Sequence, residues 1–330
     1  IIDEAQDLVE IYYDFFIKLY KDNKKKAQIC IIGDIHQTIY QYKGADSRYL
    51  EHADKIIKLN DYEWNSCKLT KSFRVPDTIC NFINNCMLKN DYILSNKESD
   101  IRPKYVITNT YQPNIIIEIL EYYLKEGYEP KDFFIIAPSI NSNNTLPVIK
   151  LENEIKRKLE NVKIYVPMSN EEKANKQILQ DKLVISTIHQ TKGLERKIVI
   201  LYSFDDSYFK YYARNYPKYL CSNELYVAAT RALEILIVVH DNRNDYLSFL
   251  DKDLVEKYCQ VVYHDPLNIQ SDNKIRVTAL SVTKLTDYID NTLLQDMVKK
   301  LNITAVFESN TNLDITNISK QYENDNEYYE

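Results

Sequence analysis

The stretch KLVISTIHQTKGLERKIVILY, residues 182–202, places a polar loop between two short apolar runs. The runs, 182–187 and 197–202, are almost continuously apolar, a pattern typical of strands that are buried on both faces of a parallel sheet. Further runs of this kind lie at 27–34, 133–138, 163–167 and 235–239. Helices are predicted between them at 77–88, 113–125, 147–160 and 222–233. Strands that alternate with helices predict an α/β fold with a largely parallel sheet.

Polar residues that could bind a ligand follow several of these runs. Asp3 and Glu4 come directly after two isoleucines, Gly33-Asp34 end the run 27–34, and Thr187 ends the run 182–187. Ligands of parallel α/β sheets bind at the carboxyl ends of the strands. We therefore expect the functional site at this edge of the sheet.

Composition excludes several classes of protein. The net charge of −6 argues against binding of nucleic acid through overall charge, although a local basic groove is compatible with it. The six cysteines form no C-x-x-C pair, which argues against a zinc ribbon or a disulfide scaffold and favours a reduced, intracellular chain. The sequence shows no apolar run of membrane-spanning length and no signal peptide, so we expect a soluble protein without a membrane partner.

Five segments carry polar residues of the kind found in nucleotide sites, but each alone has a structural alternative. DEAQD (3–7) equally fits acidic residues in the first turn of a helix. Taken alone, GDIHQTIYQYKGAD (33–46) fits an aromatic loop that packs in the core better than a ligand site, and a lone helical arginine is commonly a solvated surface residue. The remaining segments are LTKSFRVPDTI (69–79), STIHQTKGLERKIVI (186–200) and ELYVAATRALEILIV (224–238). Their occurrence together and in this order favours the functional interpretation.

Together these segments resemble the UvrD/PcrA/Rep helicases of superfamily 1A, which are DNA-dependent ATPases. IIDEAQD is similar to the Walker B segment, motif II, of that family, and GDIHQTIYQYKGA is similar to motif III. SFR is similar to motif IV, TIHQTKGLE to motif V and YVAATRA to motif VI. The resemblance covers residues 1–245 and implies RecA-like P-loop NTPase domains.

The resemblance implies a site for ATP and Mg²⁺. Asp3 would hold Mg²⁺ through its water shell, and Glu4 would orient and deprotonate the attacking water. Gln37 would sense the γ-phosphate. Arg74 and Arg231 would reach the same phosphate, a task that suits the planar, always charged guanidinium group.

The resemblance also implies further nucleotide contacts and a path for single-stranded DNA. Gly193 and Glu195 would contact the nucleotide, with Glu195 accepting a hydrogen bond from the ribose. Tyrosine rings can stack on successive bases of a single strand. The residues expected to contact DNA are Tyr40, Tyr42, Lys43, Thr187, His189 and Tyr226.

The resemblance further predicts how the chain is organised. None of the four glycines forms a G-x-x-x-x-G-K-[ST] phosphate loop, which in the family lies upstream of motif II. We therefore expect a C-terminal fragment that shows no ATPase activity by itself. The expected divisions are a truncated RecA-like domain at 1–72, a second RecA-like domain at 73–260 without a large inserted subdomain, and a linker with a partly disordered accessory tail at 261–330. The stretch 204–232, together with an AT-rich composition, favours a viral or viral-like source.

The leading hypothesis is an ATP-dependent 3′→5′ DNA helicase or translocase that acts on single-stranded DNA and on junctions of single- and double-stranded DNA, as a monomer or weak oligomer. Two alternatives stay open. One is a non-catalytic single-strand-binding or regulatory remnant. The other is the helicase part of a helicase–nuclease. The SVTKL segment at 281–285 faintly resembles the segment that leads into a nuclease module in some helicase fusions.

Overall fold

The computed structural model describes residues 1–23, 27–58, 63–140, 146–167 and 179–264. Residues Ile1–Asp265 form one compact unit. Nearly all of the predicted tail, including the SVTKL segment, lies outside the described residues. Within the described ranges, no helix combines the length and the apolar character that a membrane span requires.

Short helices and strands alternate along most of the unit. The α-helices are α1 (Glu10–Asp22), α2 (Arg48–Glu51), α3 (Ala53–Ile56), α4 (Asp77–Phe82), α5 (Asn114–Lys125), α6 (Pro147–Lys158), α7 (Ile188–Thr191), α8 (Ser207–Tyr211), α9 (Asn223–Ala229) and α10 (Lys252–Tyr258). A π-helical turn (Ile83–Leu88) continues α4, and 3-10 turns lie at Ala5–Asp7, Ile35–Gln37, Gln41–Lys43 and Pro130–Asp132. The strands are β1 (Lys71–Ser72), β2 (Leu94–Ser95), β3 (Lys104–Thr108), β4 (Phe133–Ala137), β5 (Ile164–Tyr165), β6 (Leu183–Thr187), β7 (Arg196–Tyr202), β8 (Ala232–Asp241) and β9 (Gln260–His264).

Seven strands form one sheet in the order β5-β6-β4-β7-β8-β3-β9. Every neighbouring pair in this sheet is parallel. β1 and β2 form a separate parallel pair. The predicted α/β fold with a parallel sheet, the arrangement expected of a RecA-like domain, is therefore confirmed.

The sheet is buried on both faces, which explains its continuous apolar runs. Along β4, Phe134 and Ile136 pack in one hydrophobic cluster, whereas Phe133 and Ile135 pack in another. Successive side chains of a strand point to opposite faces, so both faces of β4 need apolar residues. The same division holds along β7, and the core therefore consists of two layers on either side of the sheet.

Two predicted elements differ in the structure. The helix predicted at 222–233 ends at Ala229, because β8 begins at Ala232 and pairs with β7. The strand predicted at 27–34 is reduced to a single bridge between Ile2 and Ile31. The sequence patterns also did not predict β3 and β9, which are short and lie next to each other at one side of the sheet.

Helix α1 carries apolar residues at helical spacing but buries few of them. Tyr20 is its one buried residue, while Ile11, Tyr12 and Phe15 are exposed. Apolar residues at a spacing of 3.6 therefore indicate this helix, but most of its apolar face stays exposed in the described part of the chain.

Candidate nucleotide and single-strand site

Residues 1–46 contact the loops and helices that follow the strands of the large sheet. Tyr40 donates from its hydroxyl group to the carbonyl of His189 at 3.1 Å. Asn223, the first residue of α9, donates from Nδ2 to the carbonyl of Thr38 at 3.0 Å. Tyr226, in the segment that resembles motif VI, also donates to the Asp34 carboxylate at 3.2 Å. The segments that resemble motifs III, V and VI are therefore in direct contact.

The predicted acidic pair lies in a turn that is held by a buried glutamine. Glu4 has a φ of 51°, which places a non-glycine residue in the left-handed region. Fully buried Gln6 donates from Nε2 to the Glu4 carboxylate and accepts from the backbone N–H of Asp34 at 3.1 Å. Asp3 is exposed, and its carboxylate accepts from the Glu4 N–H at 2.9 Å. A Cβ at Gly33 would overlap the Gln6 amide oxygen and a methyl carbon of Leu50, so a side chain there would displace the glutamine that holds the turn.

The Asp34 carboxylate joins residues 1–46, the N-terminal segment, to the part of the chain from Lys71 to His264, which we call the sheet region. From its own segment it accepts the N–H of His36 at 3.0 Å and Nε2 of Gln37 at 2.9 Å. From the sheet region it accepts the hydroxyl groups of Tyr92 at 2.8 Å and Tyr226 at 3.2 Å. Gln37, the predicted phosphate sensor, is thereby fixed through a shared acidic partner.

Lys192 forms a second link between the two regions, and sequence reasoning gave it no role. Its side chain is 7% exposed and forms an ion pair with Asp7. Its Nζ also lies 4.0 Å from a carboxylate oxygen of Glu4 and donates to the carbonyl of Gln37 at 2.6 Å. Burial raises the pKa of Asp7, and Lys192 opposes that shift. The sequence signal for this link is a lysine in the loop 188–195, together with the three carboxylates of the segment 3–7.

Arg231 lies between α9 and β8 and is almost completely buried, with 2% of its surface exposed. It donates to the carbonyl of Val227 at 2.9 Å and to the Thr230 hydroxyl at 3.1 Å. Within the described ranges, no carboxylate forms an ion pair with it. Burial and the positive charge of Arg74 lower the pKa of Arg231 to about 10, while Tyr226, Glu195 and, to a smaller extent, Glu4 raise it. Arg74, Glu195 and Glu4 therefore each lie within electrostatic range of Arg231.

Arg74 interacts electrostatically with Arg231, and 33% of its side chain is exposed. We call the surroundings of Glu4, Arg74, Glu195 and Arg231 the candidate nucleotide cleft. Its Nη1 is 3.5 Å from a carboxylate oxygen of Glu195, and its Nε is buried with no hydrogen-bond partner in the described part of the chain. Gly193 has a φ of 80°, and no other residue would lie within 4 Å of a Cβ there. Phe73 is 77% exposed beside Arg74. Sequence reasoning did not consider this ring, although it directly precedes the arginine of the motif.

Four residues expected to contact DNA are brought together on one surface. Tyr42 is 65% exposed and meets the ring of His189 edge-on, with 5.4 Å between the ring centroids. The Nζ of Lys43 lies 5.3 Å and 5.6 Å from the ring centroids of Tyr40 and Tyr42. Burial lowers the pKa of His189, so its ring is predominantly neutral at pH 7.

The other two residues expected to contact DNA are buried. Thr187 forms the N-terminal cap of α7, and its hydroxyl group and backbone N–H donate to Oε1 of Gln190 at 3.0 Å and 3.2 Å. Tyr226 is 2% exposed, and its hydroxyl group is bound to Asp34. Both side chains support α7 and α9 from within and offer no exposed surface to a nucleic acid.

A groove lined by tyrosines opens beyond the carboxyl ends of β4 and β7. It consists of two cavities of about 280 and 550 Å³ that share Pro138, Tyr211 and Tyr212, and the larger one reaches His189 and Arg214. We call these five residues the tyrosine groove. Tyr211 and Tyr212 are 64% and 44% exposed. The sequence signal was the tyrosine- and cation-rich stretch 208–219, to which the motifs gave no role.

The carboxylates near Asp3 are too few to bind a magnesium ion by themselves, but they suit one whose other ligands are water and a nucleotide. No group of three or more His, Cys, Asp or Glu side chains among the described residues could hold a metal ion. Mg²⁺ bound to a nucleotide commonly takes one or two carboxylates and completes its shell with water and phosphate oxygens. Exposed Asp3 beside Glu4 is compatible with that role.

Comparison with known proteins adds sequence relatives to this geometry. Residues 3–243 match the family model of the UvrD-like helicase C-terminal domain. The chain is 24% identical over 343 residues to Gabija protein GajB of Bacillus cereus, an alignment that covers 77% of this chain and 66% of that protein. It is 26% identical over 171 residues to the RecBCD enzyme subunit RecB of Haemophilus influenzae, which covers 50% of this chain and 13% of the relative. The chain therefore spans just under two thirds of the first relative and a small part of the second.

A solved C-terminal domain of a possible DNA helicase from Lactobacillus plantarum WCFS1 superposes with a TM-score of 0.36 at 16% identity, covering 59% of this chain and 98% of that domain. The family match includes every segment that lines the cleft, from Asp3 to Arg231. The chain therefore belongs to the UvrD-like helicase C-terminal domain family.

Proposed function

We propose that the chain is part of an ATP-dependent 3′→5′ DNA helicase or translocase, which couples ATP hydrolysis to movement on single-stranded DNA. The observation that carries the proposal is the buried guanidinium group of Arg231, which forms no ion pair with a carboxylate among the described residues and lies within electrostatic range of Glu195 and Glu4. The direction of movement and the DNA substrate are inferred from the family.

The cleft is complementary to an anion. A buried charge without a counter-ion costs free energy of folding, so a site that keeps one is suited to a ligand of opposite charge. Arg74 adds a second guanidinium group with a buried, unbonded Nε. Two such groups can bind phosphate oxygens through parallel hydrogen bonds and stabilise the charge that develops during phosphoryl transfer.

The carboxylates opposite these arginines have the chemistry to activate water. The Glu4 side chain is 58% exposed, and Gln6 orients it by a hydrogen bond to one carboxylate oxygen. The other oxygen can accept a proton from an attacking water. Asp3 would hold Mg²⁺, which neutralises phosphate charge when it is bound with the nucleotide.

The single strand would lie across the exposed aromatic residues and extend into the tyrosine groove. Tyr42 and His189 meet edge-on, and His189 also lines the groove that contains Tyr211 and Tyr212. Exposed rings next to cations provide stacking surfaces for bases regardless of sequence. Tyr40 and Lys192 connect this surface to the acidic cleft, which would couple the strand to the nucleotide.

The domain organisation is part of the proposal. Residues 1–72 and 73–260 would belong to two RecA-like domains whose approach completes the nucleotide site, and residues 261–330 would form an accessory tail. A non-catalytic single-strand-binding protein is the alternative, because the exposed aromatic surface needs no ATP to bind DNA.

ATP hydrolysis by the complete protein, with and without single-stranded DNA, tests the proposal. We expect Glu4→Gln to abolish hydrolysis while ATP binding is retained, because the amide cannot accept the proton of the attacking water. Glu10→Gln is the matched control, since Glu10 is exposed at the start of α1. Normal hydrolysis by Glu4→Gln would show that the site is assigned wrongly. DNA binding without any hydrolysis by the unmodified protein would favour the non-catalytic alternative.

A further inference from the structure

We propose that Asp34 is a positioning residue for Gln37: its carboxylate fixes the orientation of the Gln37 amide, and the hydroxyl groups of Tyr92 and Tyr226 fix the carboxylate. The inference rests on the proposed function, because it assigns Gln37 to the ATP cleft. The network consists of the side chains of Asp34, Gln37, Tyr92 and Tyr226. Of these, only Gln37 was expected to contact the nucleotide.

The hydrogen bonds to Asp34 leave its carboxylate little freedom. An ionised carboxylate only accepts hydrogen bonds and offers about four lone-pair directions. Two donors reach Oδ1, namely the His36 N–H at 3.0 Å and the Tyr92 hydroxyl at 2.8 Å. Two donors reach Oδ2, namely Nε2 of Gln37 at 2.9 Å and the Tyr226 hydroxyl at 3.2 Å. Rotation of the carboxylate would break several of these bonds together.

The acceptor character of Asp34 also determines which way the Gln37 amide lies. Only the NH₂ group of an amide can face a carboxylate oxygen, so the two ends of the Gln37 amide cannot be exchanged. One N–H is taken by Asp34, and Oε1 has no donor among the described residues. The carbonyl oxygen and the second N–H thus stay available, a pair that complements a water molecule and a phosphate oxygen. The Gln37 main chain is held as well, because its carbonyl accepts from Lys192.

The sheet region supplies the two hydroxyl groups that anchor Asp34. Tyr92 precedes β2, and Tyr226 lies in α9, the helix that leads directly to Arg231. The His36 ring packs edge-on against Tyr92, with 4.3 Å between centroids. Burial raises the pKa of both tyrosines, so their hydroxyl groups remain protonated donors at neutral pH. The orientation of Gln37 therefore depends on contact between residues 1–46 and the sheet region.

A double-mutant cycle on ATP hydrolysis by the complete protein tests whether Asp34 acts through Gln37. Asp34→Ser keeps an oxygen that can cap the 3-10 turn but removes the bond to Gln37. We expect Asp34→Ser and Gln37→Ala each to lower kcat by about 10-fold or more, with the KM for ATP changed by less than about threefold. The double variant should be no slower than Gln37→Ala. Additive losses would overturn the proposal, because they would show that Asp34 acts independently of Gln37.

A rescue experiment separates positioning from general damage to the fold. Gln37→Glu places a second carboxylate beside Asp34, and we expect a lower thermal unfolding temperature because the two charges repel. Adding Asp34→Asn to that variant restores a donor–acceptor pair and should recover most of the loss. Asp14→Asn, which removes an exposed carboxylate in α1, is the control and should not rescue. Absence of rescue by Asp34→Asn would contradict the contact.

A readout without catalysis distinguishes failure of this inference from failure of the proposed function. In the chain with ¹⁵N-labelled glutamine, we expect one side-chain N–H of Gln37 to exchange slowly with solvent and to lose this protection in Asp34→Ser. Fast exchange in the unmodified chain would overturn the positioning role, whether or not the protein hydrolyses ATP. A protein that hydrolyses no ATP but shows the protected N–H would retain the contact and lose only the proposed enzymatic function.

Discussion

Arg231 illustrates how a single residue can be poorly suited to the fold and well suited to a ligand. Its guanidinium group is buried, and its two hydrogen-bond acceptors are a backbone carbonyl and a hydroxyl group rather than a carboxylate. Burying a charge that forms no ion pair costs free energy of folding, so its replacement by an apolar residue of similar volume need not destabilise the fold. The charge is therefore better explained by ligand binding than by stability.

Arg231→Met tests this explanation directly. The substitution keeps much of the side-chain volume and removes the charge, so we expect the free energy of unfolding of the chain to be unchanged or higher by about 1–2 kcal/mol. ATP hydrolysis by the complete protein should fall about 10³-fold, because the transition-state charge loses a guanidinium partner. Urea unfolding and steady-state kinetics measure the two effects, with exposed Arg157→Met as the control. Strong destabilisation by Arg231→Met would instead assign the guanidinium group a role in the fold.

Residue types in the cleft were largely predictable from the sequence, whereas their surroundings were not. The motif segments identified Glu4, Arg74 and Arg231, and the structure brings them within electrostatic range. The burial of Tyr226 could not be predicted, because it depends on Asp34, 192 positions earlier in the chain. The link formed by Lys192 likewise depends on its contact with Asp7, 185 positions away in the chain. Such contacts follow from the packing of distant segments and leave no local sequence pattern.

At the scale of elements, α7 shows how a cap determines a local structure. The helix has four residues and begins where β6 ends, so Thr187 belongs to the strand and also caps the helix. Its side chain accepts from the backbone N–H of Gln190, and the Gln190 side chain accepts from the Thr187 N–H. This capping box orients the loop that carries His189 and Lys192.

Thr187→Ala should therefore act on stability rather than on DNA affinity. We expect the free energy of unfolding to fall by about 0.5–2 kcal/mol, the range found when an N-terminal cap is replaced by alanine, whereas Thr187→Ser should retain most of the stability. Urea unfolding of the chain measures this effect. Affinity for a labelled single-stranded oligonucleotide, measured where both variants are folded, should stay within about twofold. A loss of affinity with unchanged stability would mean that Thr187 contacts the strand after all.

The elements themselves were predictable to different degrees. β4, β6 and β7 were found because burial on both faces makes their sequences continuously apolar. β9 was missed because it is an edge strand with exposed positions, which gives a weaker signal. The helix over 222–233 was predicted too long because Ala232 and Leu233 favour a helix locally, whereas pairing with β7 places both residues in β8.

At the scale of the whole molecule, the net charge of −6 makes nonspecific electrostatic binding of DNA unfavourable. Near the groove, buried Asp206 pairs with Lys210 at 3.3 Å and with Lys218 at 3.9 Å, so these two lysines are partly neutralised. Arg214 and His189 line the larger cavity. Few cations face the groove, so stacking on tyrosines should supply most of the affinity, and the dependence on salt should be shallow.

We expect the tyrosine groove to bind single-stranded DNA by stacking of bases on its tyrosines. Tyr211→Ala and Tyr212→Ala should each weaken binding of a labelled single-stranded DNA oligonucleotide by about 1–3 kcal/mol, because each removes one stacking surface. Tyr219→Ala is the matched control, since Tyr219 is 71% exposed in the same loop but does not line either cavity. Fluorescence anisotropy at two salt concentrations measures both the affinity and its salt dependence.

The outcomes distinguish three paths for the strand. Equal losses of affinity for Tyr211→Ala and Tyr219→Ala would assign binding to the whole stretch 208–219. No loss for Tyr211→Ala or Tyr212→Ala would place the strand elsewhere. A selective loss at Tyr211 and Tyr212 would instead extend the path of the strand from Tyr42 and His189 across the carboxyl ends of β4 and β7, so that the strand and the nucleotide cleft share the loop 188–195.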